Sequence, residues 1–143
     1  NDERRKFKRE SAEARREALI LAALEMVAEK GVRGATVRGI AERADVTQGL
    51  IRHYFATKEE LVAAAHETLM TGLTEASAAR LSDLPDDPLS RLSGFLANAV
   101  SPPVADPRAV ALWAASMQLV PRDTAMRRVH ETTYLGFATG LRR

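Results

Sequence analysis

Residues 36–61 contain the side chains with the clearest chemical use, because their types match what the edges of DNA bases offer. Arg52 could bind a guanine edge through two hydrogen bonds, and Gln48 could bind an adenine edge. Gly49 lies between them and would let another backbone approach closely. The types and spacing therefore suggest a helix that reads the major groove, although exposed residues of an ordinary helical bundle would look similar.

The same stretch also offers groups that suit phosphates. Thr47 and Tyr54 carry hydroxyl groups, and Lys58 adds a positive charge close by. The free amide groups at the start of the helix that begins near Lys58 also favour an anion. Tyr54 has a second interpretation, in which its ring only packs beside Phe55.

Two short helices must position these residues. Apolar spacing predicts one helix over residues 37–44 with Thr36 as its N-cap, and another over residues 48–55 with Thr47 as its N-cap. The second helix would bury Leu50, Ile51 and Phe55. Two short helices over a tight turn form a helix-turn-helix, which presents its second helix to the major groove.

The remaining sequence predicts an all-α chain. A first helix should run over about residues 12–30 and end at Gly31, and a long fourth helix should run over about residues 58–81. Thr57 and Glu60 form a capping box at the start of that fourth helix. Three further helices should start after Asp87, Asp106 and Asp123.

Composition excludes several classes of protein. The chain has 143 residues and no cysteine, so disulfide frameworks and thiolate metal sites are absent. It has no apolar run of about 20 residues, so we expect no membrane span. The net charge is only +2, but the first nine residues carry five basic side chains, which suits either a nucleic-acid-binding arm or a frayed terminus.

No catalytic motif is present. His53, His66 and His130 are far apart, and there is no P-loop, no G-x-S-x-G and no second histidine at helical spacing from His66. We therefore expect no enzyme, no catalytic residue, no metal and no cofactor. A helical protein-interaction module without sequence-specific DNA binding stays open as the alternative, and it would lack the steep salt dependence of DNA binding.

The stretch resembles the N-terminal domain of the TetR family of bacterial transcription regulators. The residues that carry the resemblance form three groups: Thr36, Val37, Ile40 and Ala41; Val46, Thr47 and Gly49; and Tyr54, Phe55, Lys58, Glu59 and Leu61. The run G-L-I-x-H-Y-F, which starts at Gly49, is most similar to the choline-responsive BetI-type branch.

The resemblance implies a cytoplasmic, ligand-released repressor that binds double-stranded operator DNA with a palindromic sequence as a homodimer. The family residues that would hold phosphates correspond to Thr36, Arg38, Thr47, Tyr54 and Lys58. Those that would face bases or phosphates correspond to Gln48, Gly49, Arg52 and His53. Many members have an aromatic or small residue at the position of Arg52, so the base read there does not transfer, and His53 could also be a solvated surface residue.

The resemblance also implies a division of labour along the chain. Residues 1–57 would form the arm and the DNA-binding domain, and residues 58–143 an incomplete domain for effector binding and dimerisation. A small-molecule effector could lie against the apolar residues Met70, Phe95, Trp113, Met117 and Phe137. Each of these could instead be plain core, and His66 and Gln118 are the polar groups best placed to act. The chain is short for the family, and its helix-like end at residues 141–143 suggests that further helices follow.

Overall fold

The computed structural model describes the backbone of residues 2–140 and the side chains of residues 11–139. The basic side chains near the start and the predicted helix-like end at residues 141–143 lie outside the part described. Within it the chain is all-α, as predicted, with seven helices and no strand. The helices are α1 (Asp2–Gly34), α2 (Val37–Arg43), α3 (Gln48–Tyr54), α4 (Lys58–Ser82), α5 (Pro88–Ala99), α6 (Pro107–Met117) and α7 (Thr124–Gly140).

Side-chain caps fix where α2 to α7 begin. Thr36 accepts a hydrogen bond from Gly39 N at 3.1 Å, and Asp123 accepts one from Met126 N at 2.7 Å. Each cap satisfies an amide that has no partner inside its helix. The six predicted caps are confirmed at Thr36, Thr47, Thr57, Asp87, Asp106 and Asp123.

The first helix differs from its prediction at the N-terminal end. It starts at Asp2 rather than near Ala12, because the intervening residues include no helix breaker and are rich in arginine, lysine and glutamate. At its other end α1 continues to Gly34, past the end predicted at Gly31, but Gly31 interrupts it. Gly31 has φ 71° and ψ 174°, a conformation that is essentially restricted to glycine, and it kinks the chain there.

The central element of the fold is α4, which packs against α1, α5, α6 and α7. One buried apolar cluster joins the short helices to the rest of the chain, and it includes Ile40, Ile51, Leu61, Leu112 and Met126. The short helices are therefore supported by the same core that supports α4. Among residues 2–140, no helix is long and apolar enough to cross a membrane.

Candidate functional site

The short helix α3 is held by one side and exposed on the other. Ile51 is buried in the core, and Phe55, which follows the helix, is buried beneath the Arg16 guanidinium at 5.3 Å from its ring centre. The exposed side carries the residues predicted to face DNA bases: Gln48, Gly49, Arg52 and His53. The structure therefore brings these four residues together on one open surface.

An ionic clamp sets the orientation of α2 against α1. Arg43 donates two hydrogen bonds to the Glu29 carboxylate, at 2.8 and 2.6 Å, and lies 3.5 Å from Glu25. The hydrogen bond from Arg43 lowers the pKa of the Glu29 carboxyl below its ordinary value. Nearby, Gly39 lies so close to Met26 that an added Cβ would fall 2.7 Å from Met26 Cε. The two helices that precede α3 are thus tightly fixed.

The turn between α2 and α3 depends on an aspartate. Asp45 has φ 54°, in the left-handed region that aspartate adopts more readily than most residues. Thr47 then caps α3 by accepting a hydrogen bond from Leu50 N at 3.3 Å. The turn and the cap together place the start of α3 at the surface.

The residues predicted to hold phosphates also make contacts within the chain, and these contacts differ from one residue to the next. Arg38 is exposed and pairs with Glu42 in the same helix at 2.9 Å. Lys58 is half-buried, and its Nζ donates to the Val32 carbonyl at 3.1 Å, so it also ties the start of α4 to the end of α1. Tyr54 is half-buried against the core, with His53 edge-on to its ring at 5.3 Å.

The threonine caps leave one hydrogen-bond donor on each hydroxyl group. A hydroxyl group carries two acceptor lone pairs and one donor hydrogen. Thr36 and Thr47 use their oxygens as acceptors for the caps, and both residues are exposed. Neither hydroxyl group donates a hydrogen bond to an acceptor among the described residues. Both hydroxyls can therefore donate to a phosphate without breaking the helix starts.

A second feature is a cavity of about 250 Å³, to which α4, α5, α7 and the segment after α5 contribute. Its wall includes Met70, Phe95 and Phe137, three of the five residues predicted to line an effector site. Trp113 and Met117 do not line this cavity. Trp113 is 45% exposed on α6, because the neighbouring Leu112 and Ser116 are the residues that α6 buries.

The polar residues of the cavity wall were missed by sequence reasoning. Asn98 is 8% exposed and lines the cavity together with Ser77. One pattern in the sequence could have indicated Asn98: it is a polar residue three positions after Phe95, on the side of α5 that should be buried. Gln118, singled out from the sequence, is exposed at the end of α6.

His66 is buried away from the exposed side of α3 and does not line the cavity. It is fully buried on α4, and neither ring nitrogen has a hydrogen-bond partner among the described residues. The ring of His130 on α7 lies 6.5 Å away between ring centres. Burial, and to a lesser extent the charge of His130, lowers the pKa of His66 from 6.5 to about 4. It is therefore neutral at pH 7. Among the described residues, no group of three or more histidine, aspartate or glutamate side chains could hold a metal ion.

Comparison with known proteins decides the family. The sequence model of the family described as bacterial regulatory proteins, tetR family, matches residues 19–65. The HTH-type transcriptional regulator BetI of Burkholderia ambifaria is 33% identical over 140 residues, which cover 92% of this chain and 72% of that protein. The chain belongs to the TetR family.

Two solved structures agree with this TetR-family membership. A transcriptional regulator from Pseudomonas aeruginosa superposes with a TM-score of 0.75 at 30% identity, over 90% of this chain and 65% of that one. The multidrug binding protein EbrR complexed with ethidium superposes with a TM-score of 0.64 at 31% identity, over 80% of this chain and 66% of that one.

The TetR-family chain spans only part of several relatives. The regulator BetI 2 of Chromohalobacter salexigens is 38% identical over 108 residues, which are 72% of this chain and 52% of that protein. The family match at residues 19–65 includes α2 and α3, whereas the cavity residues from Met70 onward lie beyond it. Membership therefore bears directly on the helix-turn-helix and less directly on the cavity.

Proposed function

We propose that this chain is the DNA-reading and ligand-sensing part of a transcription regulator, and that α3 enters the major groove of a double-stranded operator. The observation that carries this proposal is the exposed surface of α3, where Arg52 and Gln48 match guanine and adenine edges. The caps Thr36 and Thr47, together with Arg38, Tyr54 and Lys58, supply the surrounding phosphate contacts. Residues 1–57 then act as the DNA-binding unit and residues 58–143 as the sensor.

Gly49 leaves room for close contact with DNA. Its φ is not positive, and a Cβ added there would meet only Thr47 Oγ1, at 3.8 Å. Nothing inside the described chain therefore requires glycine at this position, although glycine in a helix costs about 0.5–1 kcal/mol relative to alanine. A partner that approaches the start of α3 closely would explain why a side chain is absent.

The regulator acts as a homodimer on a palindromic site, as a repressor that its ligand releases. Two copies of α3 would then enter successive major grooves one helical turn apart. Operator DNA lies in the bacterial cytoplasm, so we place the protein there. A ligand that prefers one position of α4 would shift the population between states with different DNA affinity, because α4 contacts the cavity and also begins beside α3.

The effector is a small molecule bound in the cavity beside Met70, Phe95 and Phe137. Ligand sites are usually concave and mostly apolar, with a few polar groups that set orientation, and this cavity has that character. The similar protein EbrR is complexed with ethidium, which supports a small-molecule ligand for this chain. Trp113 and Met117, predicted to share the site, do not line this cavity and are not part of the proposed effector site.

Selection of bound duplexes from random DNA tests the proposal. We expect enrichment of a defined half-site and an affinity that falls steeply with salt, since each neutralised phosphate contributes a slope of roughly −0.9 in log–log form. Gly49→Ala should weaken binding to the selected duplex, whereas Gly72→Ala, at an exposed position of α4, should not, because a Cβ at Gly72 meets nothing within 4 Å. No enrichment, or binding that is insensitive to salt, would favour the protein-interaction alternative.

A further inference from the structure

The cavity has one polar corner. Asn98 Nδ2 donates a hydrogen bond to Ser77 Oγ at 2.9 Å, and Arg80 Nη1 donates one to Asn98 Oδ1 at 3.3 Å. Ser77 and Asn98 line the cavity, and Arg80 lies one hydrogen bond behind them. Most of the remaining wall is apolar, including Met70 and Phe95. A ligand therefore has a defined place for a polar group and a defined place for an apolar body.

This corner has hydrogen-bond donors available. An asparagine amide has two donor hydrogens, and Asn98 uses one of them toward Ser77. Because Arg80 occupies the Asn98 carbonyl oxygen, the amide is fixed with its NH₂ group toward Ser77. The Ser77 hydroxyl is the acceptor in that bond, and its own hydrogen has no acceptor among the described residues. A ligand placed here would meet N–H and O–H groups.

The charged group nearest this corner is Arg80, which is exposed and lies outside the cavity wall. Among residues 11–139, Arg80 forms no ion pair with a carboxylate, and no carboxylate lines the cavity. Glu67 and Glu75 line a neighbouring cleft of about 230 Å³ between α4 and α7, which shares Met70, Thr74 and Phe137 with the cavity. Charge-assisted hydrogen bonds are roughly twice as strong as neutral ones, so an anion would gain most at the corner.

We propose that the cavity takes an amphiphilic organic anion, with its carboxylate at Ser77 and Asn98, on the side nearest Arg80, and its apolar body against Met70 and Phe95. This inference rests on the proposed effector site and adds the chemical class of the effector. A cation in the same cavity would lie near the Arg80 guanidinium, and no carboxylate lines the cavity to balance it.

Three probes that share one apolar body test this inference. Octanoate, 1-octanol and octylammonium differ only in their head groups, and calorimetric titration into the 143-residue chain at neutral pH gives their dissociation constants. We expect octanoate to bind about tenfold or more tightly than the other two, because hydrogen bonds to a charged group are the stronger ones. Phe95→Ala should weaken all three probes.

Two variants locate the head group. Arg80→Gln removes the charge and retains an amide donor, and it should abolish the preference for octanoate while leaving 1-octanol affinity within about twofold. Asn98→Asp is nearly isosteric and should weaken octanoate further. Arg91→Gln, an equal change of charge on exposed α5, is the matched control and should leave the preference intact.

Each outcome has a distinct meaning. Equal binding of the three probes, or a preference for octylammonium, would overturn the anion inference and leave the effector site standing. Arg80 could instead serve only to balance the carbonyl groups at the ends of α4 and α5. Arg80→Gln would then lower the free energy of unfolding and leave the preference for octanoate unchanged. That result would also overturn the anion inference. Failure of all three probes to bind would overturn the proposed effector site and this inference with it.

Discussion

Acid should destabilise this fold through His66. The side chain is fully buried, and its pKa in the folded chain is about 4, against an ordinary value of 6.5. Between these two values the unfolded chain holds a proton that the folded chain does not, so stability falls as the pH drops through 6.5 toward 4. At about 1.4 kcal/mol for each tenfold change in proton affinity, the loss approaches about 3 kcal/mol at pH 4.

A leucine variant isolates this effect. Urea unfolding followed by circular dichroism, for the original chain and for His66→Leu between pH 4 and pH 7.5, gives the free energy of unfolding at each pH. Carboxylates contribute equally to both proteins, so the difference between them reports His66. His66→Leu should also be no less stable at pH 7.5, because it replaces two buried nitrogens that lack partners among the described residues.

The control is His53→Leu, at an exposed histidine on α3. That variant should retain the acid sensitivity of the original chain. If His66→Leu loses as much stability as the original chain between pH 6.5 and pH 4, the buried neutral histidine is not the source and the reasoning fails.

Further predictions concern the glycines and the clamp on α2. Gly31→Ala should lower the free energy of unfolding by about 1–3 kcal/mol, because its backbone conformation is strained for any other residue. Gly72→Ala, in open space within α4, should raise it by about 1 kcal/mol, and equal effects of the two changes in urea unfolding would contradict the assigned kink. Arg43→Gln should speed amide exchange in α2, because it removes the paired hydrogen bonds to Glu29, whereas Arg38→Gln, whose partner lies within α2, should not.

Helix starts could be predicted from the sequence because a cap is a local interaction. Thr57 and Glu60 lie three residues apart, and Thr57 accepts the hydrogen bond from Glu60 N at 3.1 Å. Helix ends were less certain. Helix α6 ends at Met117, and Pro121 follows only after several residues in turns. The first helix runs back to Asp2 because nothing in its sequence stops it.

The exposed side of α3 could also be predicted, because a seven-residue helix with Ile51 buried has only one way to face the core. The cavity depends on packing between segments that are distant in sequence. For this reason only three of the five residues predicted to line it do so. The contact of α6 with α1 determines which side of α6 is buried. The exposure of Trp113 could therefore not be predicted from the spacing of residues within α6 alone. The bonds from Asn98 to Ser77 and Arg80 join two helices and leave no local pattern.

The most direct test of the account is whether Arg52 reads one base pair. Fluorescence anisotropy would follow the selected duplex and a set of single-base substitutions, for the original chain, Arg52→Ala and the matched control Arg91→Ala. We predict that Arg52→Ala loses about 1–3 kcal/mol on the selected duplex and no longer discriminates at one position, while Arg91→Ala behaves as the original chain. Unchanged discrimination at every position in Arg52→Ala would contradict the claim that this side of α3 reads DNA.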